Sequence, residues 1–490
     1  VRARKMADAV ASAPLMPSAW LWVISAESRA AFRAGREALK GRVLCFPPLS
    51  EPRQKGCVPE HSWEDREFVY YVNRTLPARS WQHILSDGSM GAIVRDTGPA
   101  ALWLENAREM RLLPPPADIE STEGSEALWL ELPQGPVSLF AANDGFGCRV
   151  RYGMGWACWE KQLGSRRVES LLFLAPGKKA RVLLVRGAEG LGLHWAMKPT
   201  LAADSSSLIC RVEGSSFFCE NPESYLPDVS FLALSENGRC RCDFSPAAMH
   251  LEQRAKELTV LVCGCGEAEE LQSLLEPSAA LAALEDSKRF WRERLQGFSL
   301  RSGFEELDRY LQPWAIYQSI ACRLLGRSSL YQSGGAFGFR DQLQDSVNLM
   351  LLDTSYAREQ ILLCCRHQYE EGDVMHWWHS HPAGDKGLRS RCSDDLLWLV
   401  WALCRYTHAS GDYALCALEE PFLHSRPLED EERDRYESPE TGRRGSVLEH
   451  AAAALDLCLS RGTGPHGLPL FGSGDWNDGL DAVDGESVWL

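Results

Sequence analysis

The spacing of apolar residues changes once along this chain, near residue 270, and this change limits the fold to two kinds of domain. Before it come short runs rich in Val, Leu, Tyr and Trp between turn residues, such as residues 68–72, 127–130 and 181–185. Runs of this length and composition predict β-strands. After it, apolar residues recur about every 3.6 positions, which predicts helices. We therefore expect an α+β chain with a large all-β domain followed by a helical one.

The same patterns give the expected domain boundaries. A first helix is predicted over residues 25–39, where Ala and Arg are frequent, and a later one is interrupted at Pro277. The expected organisation is an N-terminal extension and linker over residues 1–66, a β domain over 67–270, a helical linker over 271–300 and a helical domain over 301–490.

Two helices of the last domain are predicted from local sequence features. Residues 393–408 are apolar almost all round, which predicts a helix buried on every side. Ser446 and Glu449 have the spacing of a capping box that starts a helix at Val447. Buried helices alternate with more polar ones in this half of the chain. That alternation is typical of a helical barrel with an inner and an outer ring.

The composition excludes several classes of protein. The formal net charge is −15, whereas nucleic acids and anionic membranes bind basic surfaces, so neither is expected as a partner. No apolar stretch is long enough to span a bilayer, and no secretory signal is evident. The 17 cysteines lack the spacing of a disulfide framework, which indicates reduced thiols and a cytoplasmic protein.

Two Cys-x-Cys pairs, Cys240/Cys242 and Cys263/Cys265, raise the alternative of a zinc site. Both pairs lie in strand-like runs, and zinc sites favour wider ligand spacing. No metal is therefore expected at these positions.

The segment Gly-Ser-Gly-Asp-Trp-Asn-Asp-Gly at residues 472–479 is the first candidate site. Its glycines allow the backbone to turn sharply and to approach a ligand closely. Asp475, Trp476 and Asp478 are thereby placed on a loop, where binding and catalytic residues concentrate. An exposed Asp/Asn/Gly turn is the structural alternative, and the tryptophan favours a ligand.

A glycine-rich loop at residues 332–338 leads into a helix with Arg340, Asp341, Gln344 and Asp345 in its first turns. Asp341 is at a position where a carboxylate often stabilises a helix start, and this structural role competes with a binding role. Asp345 follows four residues later on the same face. We expect Arg340, Gln344 and Asp345 to converge on the hydroxyl groups of a sugar.

Three histidines of the segment His-Trp-Trp-His-Ser-His, at 376, 379 and 381, suggest a metal site, since imidazole is a common ligand. Paired tryptophans are poor neighbours for a hydrated ion, whereas aromatic rings beside imidazoles suit a pyranose. We therefore favour a sugar pocket with His376 and Trp377, and no metal. Arg391 precedes a helix start and either binds an anion or balances the two aspartates that follow.

Together these four segments resemble glycoside hydrolase family 94, the inverting disaccharide and oligosaccharide phosphorylases, and most of all its β-1,2-glucan branch. The resemblance runs from about residue 68 to the end of the chain. It implies a β-supersandwich, a helical linker and an (α/α)6 barrel. A barrel of twelve helices needs on the order of 350 residues, and only about 190 follow Arg301. We therefore expect about half of the barrel, in a chain that is a fragment.

The resemblance also implies a reaction, the reversible phosphorolysis of a β-glucan to α-glucose 1-phosphate. Asp478 is then the general acid, and Trp476 and Asp475 lie in the same subsite. Burial near the indole is expected to keep the acid protonated. Arg340 and Asp345 match positions that contact the donor sugar, and the remaining pocket positions are Asp341, Gln344, His376, Trp377 and Arg391. Phosphate is a co-substrate, no cofactor is implied, and dimers are frequent in the family.

Two other functions stay open. An inverting hydrolase needs a second carboxylate ~6.5–9.5 Å from the acid, which Asp345 or Asp395 could supply. A glucan-binding fragment without turnover is the non-catalytic alternative. The family's phosphate-binding His and Thr-Gly loop have no counterpart in this sequence, so we expect the chain by itself to bind phosphate poorly.

Overall fold

A computed structural model describes residues 58–478 apart from 74, 118–120, 122–123, 203–206, 245–246 and 465–466. The helix predicted over residues 25–39 and most of the predicted extension 1–66 lie outside the described residues. The first part of the described chain is built of strands and the second part mainly of helices. This coarse division agrees with the prediction from periodicity.

Nineteen strands are described in the first part, and most are joined to the next strand by a short connection. In chain order they are β1 (Glu60–Glu64), β2 (Glu67–Val72), β3 (Gln82–Ser86), β4 (Met90–Arg95), β5 (Gly98–Leu104), β6 (Arg111–Leu113), β7 (Glu126–Leu132), β8 (Gly135–Ser138), β9 (Cys148–Gly153), β10 (Trp156–Leu163), β11 (Arg166–Ala175), β12 (Ala180–Arg186), β13 (Gly192–Met197), β14 (Ile209–Glu213), β15 (Ser216–Glu220), β16 (Ser230–Ser235), β17 (Arg239–Phe244), β18 (Ala247–Arg254) and β19 (Leu258–Gly264).

The strands form three sheets that share one hydrophobic core. A ten-stranded sheet has the order β1-β2-β9-β10-β11-β12-β19-β16-β15-β14, a five-stranded sheet the order β17-β18-β13-β7-β8, and a four-stranded sheet the order β3-β4-β5-β6. Trp159 of the large sheet, Trp195 of the second and Leu102 of the third are buried together. The sheets therefore stack around common apolar layers, as in a sandwich.

The ten-stranded sheet is buried on both faces at its centre. On β12, Leu183 and Val185 face the core shared with the other sheets, whereas Val182 and Leu184 face a second apolar layer. Two helices supply that layer, α1 (Ala268–Ser273) and α2 (Pro277–Leu295). Burial on both faces explains why this strand reads as a continuous apolar run rather than an alternating one.

One predicted boundary is wrong at the start of the β domain. Strand β1 lies inside the stretch expected to be linker and pairs with β2 from Glu60↔Tyr71 to Glu64↔Glu67. It is an edge strand of sequence EHSWE, exposed along most of its length. Because an edge strand can face solvent on both sides, its sequence lacks the apolar alternation on which the boundary was placed.

The helix interrupted at Pro277 is confirmed, since α1 ends before it and Pro277 occupies the first position of α2, where proline is well tolerated. The helical stretch after residue 300 was predicted to belong to the helical domain, but it packs against the β domain. Trp314 and Tyr317 are buried in the core of the β domain, and the Tyr317 hydroxyl donates a 2.6 Å hydrogen bond to the carbonyl of Ile84 on β3. The linking region thus extends well beyond residue 300.

In the part of the remaining chain that the structure describes, four longer helices have a core of their own, in which Phe339, Leu343, Ile361, Leu399 and Ala451 are buried. The helical segments after α2 are α3 (Glu305–Arg309), a π-helical segment (Tyr310–Ala315), α4 (Ile316–Gln318), a second π-helical segment (Ser319–Gly326), α5 (Phe339–Asn348), a 3₁₀ turn (Leu349–Leu351), α6 (Ser355–Cys365), α7 (Asp395–Ser410), a 3₁₀ turn (Tyr413–Ala417) and α8 (Val447–Ser460).

The capping box predicted for α8 is confirmed. The Glu449 amide donates to the Ser446 hydroxyl at 3.2 Å, and the Ser446 amide donates to the Glu449 carboxylate at 2.6 Å. In contrast, the prediction that α7 is buried on every side is wrong for the described structure. The described elements cover its Leu396 and Leu399 face, whereas Trp401 is 40% exposed.

Six short strands also lie among these helices, where the sequence predicted only loops. They are β20 (Phe337–Gly338), β21 (Met375–His379), β22 (Lys386–Ser390), β23 (Glu419–His424), β24 (Asp434–Glu437) and β25 (Glu440–Ser446). They form a four-stranded sheet of order β20-β21-β22-β24 and a pair β23-β25. Among the described helices, none is both long and apolar enough to cross a bilayer.

Candidate active site

Arg340, the second residue of α5, is the centre of the site. Its side chain is buried, and one Nη donates to Asp394 Oδ1 at 3.0 Å and to the Asp475 carbonyl at 2.7 Å. The other Nη donates to Asp478 Oδ1 at 2.5 Å and to the Trp476 carbonyl at 3.5 Å. One guanidinium therefore joins the start of α5, the start of α7 and the loop that follows α8.

That last loop, residues 472–478, is also held by backbone contacts. Gly472 forms a β-bridge with Cys392, and the amide and hydroxyl of Ser393 both donate to the Gly474 carbonyl, at 2.8 and 3.1 Å. Gly472 has φ +65°, and a Cβ added there would lie 2.5 Å from the Arg391 carbonyl oxygen. Glycine is thus required both for the left-handed conformation and for the close approach.

The change Gly472→Ala is expected to displace this loop, and Gly462→Ala is its matched control. Gly462 also has positive φ, +79°, but a Cβ there would meet open space. The control should lose about 1–2 kcal/mol for its backbone conformation alone, and Gly472→Ala roughly 1–3 kcal/mol more for the clash. Urea denaturation and limited proteolysis near residue 472 measure both effects. Equal losses in the two variants would show that the close approach has no energetic role.

Besides Arg340, a second side chain lies near Asp478, namely His376 on β21. Its Nδ1–H donates to Asp395 Oδ2 at 2.7 Å, and its Nε2 is 3.8 Å from Asp478 Oδ1. Burial lowers the pKa of His376, but the hydrogen bond and charge of Asp395 outweigh it and raise the pKa above the usual value. Asp395 is itself fully buried, which raises the pKa of its carboxyl. The pair holds the imidazole in one orientation beside Asp478.

The predicted burial of Asp478 is wrong. Its side chain is 59% exposed, and the Trp476 side chain is also exposed. The indole lies toward Arg340, whose guanidinium carbon is 5.9 Å from the ring centroid. The reason is that Arg340 draws the carboxyl toward α5, so that the aspartate is held by an ion pair rather than enclosed by an aromatic pocket. An exposed carboxyl and an exposed ring face leave room for a substrate.

The polar residues of α5 form a second group around Arg323. The Arg323 guanidinium donates to Asp345 Oδ2 at 2.8 Å and to Asp341 Oδ1 at 3.2 Å, while Gln344 is half-buried on the same helix. Burial raises the pKa of Asp345, and the charge of Arg323 offsets part of that rise. The structure thus brings Asp341 and Asp345 together, but with Arg323 rather than with Arg340.

The three histidines of the 376–381 segment do not converge on one point. His376 contacts Asp395, His379 Nδ1 accepts a hydrogen bond from the Asn106 side chain at 3.0 Å, and the His381 amide donates to Asp385 Oδ1 at 3.1 Å. Of the two tryptophans, Trp378 is in the core of the helical region, whereas Trp377 is half-buried. Only His376 joins the group around Asp478.

One set of possible metal ligands does lie in the site, since ligand atoms of His376, Cys392 and Asp395 are within 4.8 Å of one another. The guanidinium of Arg340 is 3.8 Å from both the Cys392 sulfur and Asp395 Oδ1. A fixed positive charge at that distance repels a divalent ion. These residues therefore suit an ion-pair network with Arg340 as its cation.

One of the two roles considered for Arg391 was to balance Asp394 and Asp395, but the described ion pairs of these aspartates are with Arg340 and His376. The Arg391 guanidinium donates to the carbonyls of Glu429 at 2.6 Å and Leu428 at 3.2 Å. The role of balancing Asp394 and Asp395 belongs to Arg340 instead. Arg391 thereby fixes the start of α7 to the segment before β24.

The sequence that forms this site is similar to sequences of known proteins. Residues 290–490 match the sequence model of the glycosyl hydrolase 94 superfamily, catalytic domain. Over this segment, which is under half of the chain, the sequence is similar to that catalytic domain. The resemblance drawn from the four motifs is therefore confirmed.

Individual relatives align with only part of this chain. The cyclic β-(1,2)-glucan synthase NdvB of Rhizobium meliloti is 40% identical over 214 residues, which are 43% of this chain and 8% of that protein. The N,N'-diacetylchitobiose phosphorylase of Vibrio proteolyticus is 27% identical over 304 residues, 54% of this chain and 35% of the enzyme. The 1,2-β-oligoglucan phosphorylase of Listeria innocua is 26% identical over 157 residues, 31% of this chain and 14% of the enzyme. The chain thus spans well under half the length of these relatives.

Among solved structures, a kojibiose phosphorylase from the human microbiome aligns with 73% of this chain and 58% of its own, at 7% identity and a TM-score of 0.44.

All of the predicted site residues lie within the glycosyl hydrolase 94 segment, and so does Arg323, which the sequence reasoning missed. Arg323 belongs to a stretch that was interpreted only through its apolar period. The charge of Arg323 among apolar neighbours was the available signal, because a buried or half-buried cation requires an anionic partner. Asp394 was likewise interpreted only as part of a helix start, whereas its carboxylate holds Arg340.

Proposed function

We propose that this chain carries the general acid of an inverting glycoside phosphorylase that cleaves a β-1,2-linked glucan with inorganic phosphate and releases α-glucose 1-phosphate. The observation that supports it most is the position of Asp478, exposed on a glycine-rich loop and held by Arg340 beside His376. The β-1,2 linkage is favoured by two relatives whose names specify it.

In this proposal Asp478 reacts as the carboxylic acid. Its Oδ1 accepts from Arg340, and its Oδ2 carries the proton that goes to the glycosidic oxygen as the bond from that oxygen to C1 breaks. Phosphate attacks C1 from the opposite face, so the configuration is inverted. Hydrogen phosphate loses its own proton on becoming an ester, and this proton restores the acid. A single carboxyl is sufficient because phosphate is already an anionic nucleophile, whereas inverting hydrolysis requires a second carboxylate to activate water.

The neighbours of Asp478 have roles that follow from their contacts. Arg340 holds its Oδ1 by a hydrogen bond, and His376 Nε2 lies 3.8 Å from the same oxygen. The carboxyl is thereby oriented toward the open side of the site. Asp475 fixes the turn, because its Oδ1 accepts the Asn477 amide at 2.7 Å. The exposed Trp476 ring provides a flat apolar surface for a pyranose. We assign Asp345, held by Arg323, to the donor sugar, with Asp341 and Gln344 beside it.

Phosphate binding is expected to be weak in this chain alone. The Arg340 guanidinium and the His376 imidazole, which face Asp478, are already paired with Asp394 and Asp395. An arriving phosphate would have to compete with these carboxylates. Titration calorimetry with phosphate should therefore show a much weaker affinity than for the glucan.

Product analysis separates the proposed reaction from its alternatives. The chain is incubated with β-1,2-linked gluco-oligosaccharides, with and without a high concentration of phosphate. A phosphorylase forms α-glucose 1-phosphate only when phosphate is present. A hydrolase forms glucose in both mixtures, and a binding fragment leaves the oligosaccharide intact.

A further inference from the structure

A second cleft lies beside the site, between the β domain and the helical region. We call it the interdomain cleft. Its volume is about 350 Å³, enough for about one sugar residue, which is the lower end of ordinary ligand sites. The β domain contributes Glu109, Glu223 and Tyr225, and the helical region contributes His379 and Tyr436. Junctions between domains are frequent places for small-molecule sites.

The walls of the interdomain cleft are already fixed to each other. The Asn106 amide of the β domain donates to His379 at 3.0 Å in a buried contact. The Tyr225 hydroxyl donates to the Ser380 carbonyl, and its ring packs edge-on against His381 with centroids 5.1 Å apart. Because these contacts cross from one region to the other, the cleft is formed before any ligand arrives.

The chemistry of the lining suits a neutral sugar. Tyr436 is 55% exposed and continues an aromatic row, with its ring centroid 5.7 Å from that of Trp377. Glu109 and Glu223 offer carboxylates that accept hydrogen bonds from hydroxyl groups. Burial lowers the pKa of His379, which favours the neutral imidazole. The cleft is also lined by one cation, Lys386, so carboxylates outnumber ammonium groups by two to one. This balance disfavours an anion such as phosphate, whereas a polyhydroxylated ring has no charge to be repelled.

Strand β21 connects this cleft with Asp478. His376, next to Asp478, and His379, in the cleft wall, are three residues apart on that strand. At about 3.3 Å per residue the separation is roughly 10 Å. An oligosaccharide chain spans this distance, and a single sugar does not. Trp377 lies between the two histidines, with its ring centroid 5.8 Å from that of His379.

We propose that the interdomain cleft binds sugar residues of a neutral oligosaccharide beyond the bond that is positioned at Asp478. This inference rests on the proposed function and adds a preference for longer chains to it. Tyr436 supplies the stacking surface, and Glu109 and Glu223 accept hydroxyl hydrogens. A disaccharide at Asp478 does not reach the cleft, so its affinity does not depend on Tyr436.

The test compares Tyr436→Ala with Tyr310→Ala in the full chain by titration calorimetry, using the β-1,2-linked glucose disaccharide and pentasaccharide. Tyr310 is similarly exposed, at 50%, and does not line the interdomain cleft. We expect Tyr436→Ala to weaken pentasaccharide binding by about tenfold, the size of one aromatic contact, and to leave disaccharide binding unchanged. Tyr310→Ala should change neither, and circular dichroism should show both variants folded.

The outcomes separate this inference from the proposed function. If the unsubstituted chain binds both sugars with equal affinity, or if Tyr436→Ala weakens both equally, the interdomain cleft has no role while the glucan site at Asp478 stands. If the unsubstituted chain binds neither sugar, both the inference and the proposed function are wrong.

Discussion

The change Asp478→Asn is expected to lower the rate of phosphorolysis by about 10²–10⁴, the usual contribution of a general acid. Asparagine keeps the size of the side chain and can still contact its neighbours, but it has no acidic proton for the leaving oxygen. The loss should therefore be in kcat, with little change in KM for the glucan. Release of α-glucose 1-phosphate at saturating phosphate measures it. Because the Asp478 side chain is 59% exposed, the fold should not be affected.

Two comparisons make this prediction specific. Asp456→Asn changes an exposed aspartate on α8 and should leave the rate unchanged. An aryl glucoside whose phenol is a good leaving group needs no proton, so Asp478→Asn should lose little of its rate on that substrate. If the variant is equally slow on both substrates, Asp478 does not act as the acid. If it keeps its rate on the glucan, the acid is another residue.

The coarse fold was predictable because burial imposes a period on the sequence. Continuous apolar runs such as residues 182–185 mark strands that are buried on both faces. Pro277 marked the interruption between two helices, and Ser446 with Glu449 marked a helix start through bonds formed within four residues. These features depend on neighbours in the sequence, so no knowledge of the tertiary structure was needed to find them.

The exposed and polar strands could not be found in this way. Strand β1 is exposed along most of its length, and β24, of sequence DRYE, alternates between exposed and half-buried. Their sequences carry no apolar alternation, because they are fixed by hydrogen bonds to adjacent strands rather than by a buried face. The exposure of Trp401 could not be predicted either. The apolar sequence of α7 indicates burial, but it does not specify which neighbouring elements cover each face of the helix.

The sequence predicted which residues form the site better than it predicted which of them contact each other. Glycine-rich loops and clustered polar residues pointed to Arg340, His376 and Asp478, which the structure brings together. The partners of charged residues were not predictable, because an ion pair such as Arg340–Asp478 joins positions 138 apart in the chain. No local pattern encodes such a pair. For the same reason, no local pattern predicted that Asp345 would face Arg323.

The change Arg340→Met is expected to reduce the free energy of unfolding by about 3–5 kcal/mol, the cost of leaving buried charges without their partner. Arg340 is the cation nearest to Asp394 and lies 3.8 Å from Asp395, and both carboxylates are buried. Methionine fills a similar volume but donates no hydrogen bond to them or to the carbonyls of the terminal loop. Urea denaturation at neutral pH measures the loss.

The matched control is Arg309→Met, which removes an exposed arginine paired with Glu305 one helical turn away. Exposed pairs of this kind contribute at most about 1 kcal/mol. The difference between the two variants therefore isolates what burial adds to the Arg340 network. A loss within 1 kcal/mol of the control would mean that Asp394 and Asp395 are stabilised without Arg340. In that case the guanidinium would serve to orient Asp478 and not to hold the site together, and Arg340→Met would lower the rate of phosphorolysis while leaving the midpoint of denaturation close to that of the control.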